Sequence, residues 1–128
     1  METATPVSKK MLWTGRVISA LPAILFIVGG LFAIINPASM AQGMEHLGYP
    51  AHLARTIGAL EIICGVLYLI PRTAVLGAIL LTGYLGGATA SHVRIGEPPI
   101  MPLVVAAFVW LGIYLREHRL HAITPLRK

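Results

Sequence analysis

The chain has 128 residues, 56% of them hydrophobic and only 12% charged, with a formal net charge of +5. A soluble domain is about half apolar and about a quarter charged, so the shortage of charge excludes an ordinary water-soluble domain and points to a membrane. The basic residues are scattered at the ends of apolar runs instead of forming a stripe, which excludes a nucleic-acid surface and makes anionic lipid headgroups their natural company.

In chain order, residues 1–10 read as a disordered polar tail and 11–116 as a transmembrane domain. The first apolar run, about 12–35, is broken only by Arg16 near its start. It is longer than the roughly 7–15 residues of a signal-peptide core, so it is expected to be retained although "SMA" (Ser39–Ala41) follows it. The loop Asn36–His52, rich in Pro, Gly and His, is the longest connection and is expected to be structured or interfacial. A second span, about 53–70, holds Arg55 near one end and Glu61 at its centre. "IPRT" (Ile70–Thr73) then makes a tight turn, so spans two and three must be antiparallel neighbours. The third span, about 73–92, has no carboxylate or ammonium; "RIGEPPIMP" (Arg94–Pro102) forms a rigid turn into the fourth, about 100–115. Residues 117–128 read as a basic tail, a helical end followed by coil, with His118 and His121 in solvent at the interface.

A bilayer core takes roughly 17–25 helical residues, so three runs fit and the fourth is slightly short. Lipid offers the backbone no hydrogen-bond partners, so these runs must be helices. With the N-terminus in the cytoplasm, Lys9, Lys10, Arg16, Arg72, Arg116, Arg119, Arg127 and Lys128 lie inside and only Arg55 and Arg94 outside, the bias of the positive-inside rule. The expected fold is therefore all-α: an integral membrane four-helix up-down bundle with both termini cytoplasmic. Cys64, the single cysteine, can form no internal disulfide and reads as a small packing residue.

Glu61 is the feature that composition does not explain. A carboxylate at bilayer midplane depth is costly and is a functional candidate by default. Gly58 and Gly65 flank it on its own helical face, three residues before and four after, so a close partner helix is expected to pass it. Counting rise along the helices brings Tyr84 of span three to the same depth, with Ala20–Ala23 on span one and Phe108 on span four. Tyr84 is thus the expected hydrogen-bond partner. Arg55 is not, lying about 120° around the helix and nearer the surface. With no cation at its level, the uncharged carboxyl is the form expected there. Gly83 and Gly87 form a small-xxx-small step and are expected to pack helices together. At the outer end Arg55, His92, Arg94 and Glu97 gather with Glu45, His46 and His52. Pairing of Arg94 or Arg55 with Glu97 or Glu45 is expected to close the outer mouth. No His or Cys spacing there suits a metal.

"GALE" followed by "G-x-L-x-L-I-P" on span two, the small-residue third span and its ending "ATASHVRIGEP" resemble the DoxX-like family of small four-span membrane proteins. The likeness covers roughly residues 12–115. Glu61 matches the family's span-two Glu, and His92 with Glu97 match its His-x-x-x-Gly-Glu ending. The resemblance implies a four-helix bundle in the cytoplasmic membrane; the name-giving relatives are linked to a thiosulfate:quinone oxidoreductase, others to oxidative and thiol stress. This chain has no Cys-x-x-Cys and no haem-type Cys-x-x-Cys-His, so no catalytic residue is assigned and a non-enzymatic role is favoured. Two classes of function then come first: an accessory subunit of a membrane redox assembly, with a bilayer quinone approaching Glu61 and Tyr84, and a structural or assembly scaffold, in which Glu61 only fixes packing. A proton-coupled small transporter using Glu61 ranks third. The expected partners are the bilayer and either a redox subunit or further copies of the chain.

Overall fold

The computed structural model describes residues 7–124, and among them every regular element is helical. Five α-helices follow in order: α1 (Lys9–Ile35), α2 (Ala38–His46), α3 (Ala54–Leu69), α4 (Ala74–Arg94) and α5 (Ile100–Arg116). Short 3-10 turns occupy Ala51–Leu53 and His118–Ala122. Residues 1–6 of the expected tail, and Arg127 and Lys128 of the charge count, lie outside the described residues. α1, α4 and the stretch Ala51–Leu69 are long and apolar enough to cross a membrane; α5 is apolar but shorter.

The helix ends follow from local chemistry. Ser8 caps α1, its Oγ accepting the Met11 amide at 3.2 Å, which satisfies one of the donors that a helix start leaves free. The chain is therefore helical from Lys9, inside the stretch expected as disordered tail. Pro22 lies within α1 without ending it. Ile70 is extended ahead of Pro71 and stops α3; Thr73 Oγ1 then donates to the Leu67 carbonyl at 2.8 Å. Gly96, at φ +79°, turns the chain after α4, and the Glu97 amide reaches back to the His92 carbonyl at 3.0 Å.

Two expectations change. α2, inside the Asn36–His52 loop, is a fifth helix that apolar-run counting passes over, because nine residues are too few to register as a span. The tail after α5 is folded back: Leu120 is buried, His121 Nε2 meets the Tyr114 carbonyl at 2.7 Å, and its ring lies 4.2 Å from that of Tyr114. His121 is thus a packing residue and not a solvated one.

The distribution of side chains is that of a lipid-embedded protein. On α1 the buried residues are mostly small, Gly15, Ser19, Ala23, Gly30 and Ala33, with Pro22 and Phe26, whereas Leu21, Ile24, Leu25, Phe32 and Ile35 are exposed. In water that pattern would be inverted; in lipid, close helix approach through small residues is what holds helices together. α1 packs on α3 and α5, and α4 bridges α3 and α5. Gly30 faces Gly58 while Ala23 and Phe26 face Gly65, so α1 and α3 run in opposite directions. A Cβ at Gly30 would stand 2.4 Å from the Gly58 carbonyl oxygen, and one at Gly58 would stand 2.7 Å from that of Gly30. At the other end of the bundle Tyr68, fully buried, donates to the Val109 carbonyl at 2.7 Å and lies 3.1 Å from Ser19 Oγ, tying α3, α5 and α1.

Gly83 and Gly87 take no part in such packing. A Cβ at either position would meet nothing within 4 Å, and both are exposed. The expected α4 seam is replaced by the Gly30–Gly58 crossing, because α4 turns its glycines away from its neighbours and toward a cavity.

Gly58→Ala should therefore lower the melting temperature in detergent, by the equivalent of about 1–3 kcal/mol for overpacking. Gly87→Ala should leave it unchanged or raise it by up to about 1 kcal/mol, since helix interiors favour Ala over Gly. A Gly58→Ala protein as stable as the wild type would contradict the crossing. A second expectation concerns Glu117, whose carboxyl is held below the usual range by hydrogen bonds from Arg119. Its contribution is complete above the unfolded value of about 4.3 and is lost as pH falls through the lower folded value. Amide shifts of residues 117–120 followed by NMR should titrate with a midpoint below the ordinary glutamate value; a midpoint at or above it would contradict the pairing.

Candidate functional site

Glu61 lies in the middle of α3, on the side turned to α1 and α4. Its helix-mates Gly58 and Gly65 press against α1, where Cβ atoms would stand 2.8 Å from Ala33 Cβ and 2.9 Å from Ile27 Cγ1. At the level of Glu61 itself α1 presents Gly29 and Gly30. A Cβ on Gly29 would come to 3.5 Å from Glu61 Oε2, an ordinary contact, which places the carboxyl directly against this position of α1. The neighbour on α1 is therefore Gly29–Gly30 and not Ala20–Ala23. α1 and α3 are aligned at the ends joined by the α2 segment, and α1 extends further at its other end, so counting from the middle of each span misplaces the level.

Across the cleft the Tyr84 hydroxyl donates to Glu61 Oε1. The tight turn between α3 and α4 makes this pairing: Gly77 has no Cβ to strike the Tyr68 backbone, which would lie only 2.3 Å away, and the two helices stay close from there to Tyr84. Phe26 of α1 packs its ring at 81° to that of Tyr84 with centroids 5.3 Å apart, an edge-to-face contact that holds the phenol in place. Both Glu61 and Tyr84 are half-buried.

They border a cavity of about 530 Å³, within the range of small-molecule sites. α4 lines one side with Gly83, Gly87, Ala88 and Ser91; α2 covers it with Met40, Gly43 and Met44; Ala33, Ile57 and Leu60 complete an apolar wall. The convergent polar groups are few: Glu61, Tyr84 and the pair formed by Tyr49 and Ser91, whose hydroxyls lie 2.7 Å apart. Sequence reading misses Tyr49, Ser91 and the cover itself. The signal for Ser91 is faint, since a serine that bonds to the carbonyl four residues back, here Gly87 at 2.8 Å, is common in apolar helices.

The outer polar residues do not form the expected cluster. Glu97 pairs with His46 at the end of α2. Arg94 donates through Nη2 to the Leu47 carbonyl, and Arg55 Nε donates to the Ile34 carbonyl at 3.3 Å. His92 Nδ1 meets the Ala88 carbonyl at 2.8 Å within its own helix. Neither arginine reaches a carboxylate among the described residues: Arg94 takes the backbone carbonyl at the end of α2 and Arg55 one in the last turn of α1. Glu97 and Arg94 instead clamp the end of α2, and Gly48, at φ +85°, lets the chain turn beneath Arg94.

A family model for the DoxX-like family matches residues 17–112. The chain belongs to the DoxX-like family. The matched stretch runs from the first turns of α1 almost to the end of α5 and contains Glu61, Tyr84, His92 and Glu97. Comparison with curated proteins and with solved structures gives no match. Family and apolar helices together make this DoxX-like chain a small membrane protein. Within it the Glu61–Tyr84 pair and its cavity come from three helices and the α2 cover.

Tyr84→Phe removes the hydroxyl from Glu61 and should cost about 1–3 kcal/mol, the penalty of leaving a half-buried acceptor unpaired. Glu61→Gln keeps an acceptor and should cost less. Thermal unfolding of the two variants in one detergent checks the order, and the reverse order would contradict the bond.

Proposed function

We propose that this DoxX-like protein is a four-span, up-down bundle of the cytoplasmic membrane, with both termini in the cytoplasm, that binds a small apolar molecule with a hydrogen-bonding head in the cavity beside Glu61 and Tyr84. A bilayer quinone is the ligand whose chemistry fits best, and the role that follows is a quinone-interacting accessory subunit of a membrane redox assembly. The supporting observation is the cavity itself: apolar walls, a glycine side on α4, and one carboxyl–phenol pair at its border. A quinone carbonyl is an acceptor. If Glu61 carries a proton, it can donate to the Tyr84 oxygen, which frees the phenol to donate to the carbonyl. The unpacked Gly83 and Gly87 weigh against the scaffold alternative, since a helix kept only for packing would not spend its smallest residues on open space.

Protein extracted in native lipid should carry quinone, detectable by its ultraviolet spectrum in the organic extract. Gly87→Leu, which fills the cavity at a position without neighbours, should abolish the bound quinone and leave the melting temperature nearly unchanged. Tyr84→Phe should weaken binding about ten-fold, the loss expected for one buried hydrogen bond. Quinone-free wild-type protein that also fails to take up added quinone would overturn the proposal.

A further inference from the structure

The opposite end of the bundle, where α1 begins and α5 ends, contains a second cavity of about 340 Å³. Its polar lining is Arg16, Ser19, Arg116 and Glu117, and its apolar lining includes Leu12, Leu69 and Ile113. Two arginines therefore line one small space. Glu117 makes its arginine ion pair with Arg119, whose Nε lies 3.0 Å from Oε1 and Nη2 3.2 Å from Oε2, and not with Arg16 or Arg116.

Arg116 is fixed in place. Its guanidinium stacks on the Tyr68 ring, 4.5 Å from the centroid, and Nη2 donates to the Tyr68 carbonyl. Its Nε is buried and has no hydrogen-bond partner among the described residues, so a charged, rigid donor is left unsatisfied. Arg16 makes no ion pair with a described residue; its guanidinium lies over the exposed Trp13 ring, 5.0 Å from the centroid. Tryptophan belongs at the headgroup level of a bilayer, and arginine presents a planar fork that matches phosphate oxygens.

We propose that this cavity is a binding site for the phosphate of an anionic phospholipid, held between Arg16 and Arg116 with the start of its acyl chains along Leu12, Leu69 and Ile113. A free phosphate would have no use for that apolar wall, and a zwitterionic lipid would bring a third cation to a site that already has two. The site is independent of the Glu61 cavity. It also lies at the margins of the family match, with Arg16 and Arg116 just outside residues 17–112. The lipid would sit beside the place where Gly15 of α1 already presses on the Arg116 backbone of α5.

Native mass spectrometry of the full chain in detergent, with phosphatidylglycerol or phosphatidylcholine added at equal concentration, tests this. The wild type should retain one phosphatidylglycerol at least about ten-fold more tightly than phosphatidylcholine, as expected for a charge-assisted pair. Arg16→Gln should erase that preference, while Arg72→Gln, which removes a basic residue outside the cavity, should preserve it. Because Arg116 also holds the Tyr68 carbonyl, Arg116→Gln is informative only if it folds; Arg16, being exposed, tests the proposal without that difficulty. Equal retention of the two lipids, equal loss in Arg72→Gln, or displacement of the lipid by inorganic phosphate at matched concentration would each overturn it.

Discussion

The rest of the structure depends on one contact, the backbone-to-backbone crossing of α1 and α3 at Gly30 and Gly58. Lipid tails are as apolar as leucine, so helices in a membrane gain nothing by hiding leucines from them; they gain by approaching until their backbones touch. Gly30 and Gly58 allow this because any Cβ would stand well inside contact distance of the opposite carbonyl. Once the crossing is made, the face of α3 that carries it is committed to α1, and Glu61, on that same side, is brought against Gly29 and toward α4.

The crossing also explains the cavity. α3 is drawn tightly onto α1, and α4 is tied to α3 by a short turn, closest where Gly77 meets Tyr68. The two helices stay side by side from that turn to Tyr84, whose hydroxyl joins Glu61. Gly83 and Gly87 flank that level and add no bulk, and the space they leave is covered by α2. A side chain at either position would have nothing to collide with, so the glycines shape a space and not a contact. The polar ends of the bundle obey a different constraint. Three arginines there, at both ends, take a backbone carbonyl: Leu47 for Arg94, Ile34 for Arg55 and Tyr68 for Arg116. Charges near a helix end complement the carbonyls that the last turn leaves free, so distant carboxylates are not needed.

Much of this is legible in the residues. Runs of apolar side chains with almost no charge can only be helices in lipid, and the turns that separate the later ones are marked by Pro71 and Gly96, whose effect is local. The level of Tyr84 relative to Glu61 can also be counted, because four residues join α3 to α4 and leave little freedom. The level of α1 cannot: a connection of some seventeen residues, Asn36–His52, separates it from α3, and nothing in its composition says that the two helices align at that end. α2 escapes for a related reason, since nine residues of mixed character fold as a helix only because there is a cavity for Met40 and Met44 to cover.

The sequence by itself thus determines an all-helical membrane protein, a carboxyl in an apolar span and a phenol at its depth, because periodicity, charge and short-loop geometry act within a few residues. Only the tertiary structure decides which glycines touch and which enclose space, and which oxygen each arginine takes. Small residues and long cationic side chains are equally suited to several partners, and the choice is made by the neighbours that packing brings within reach.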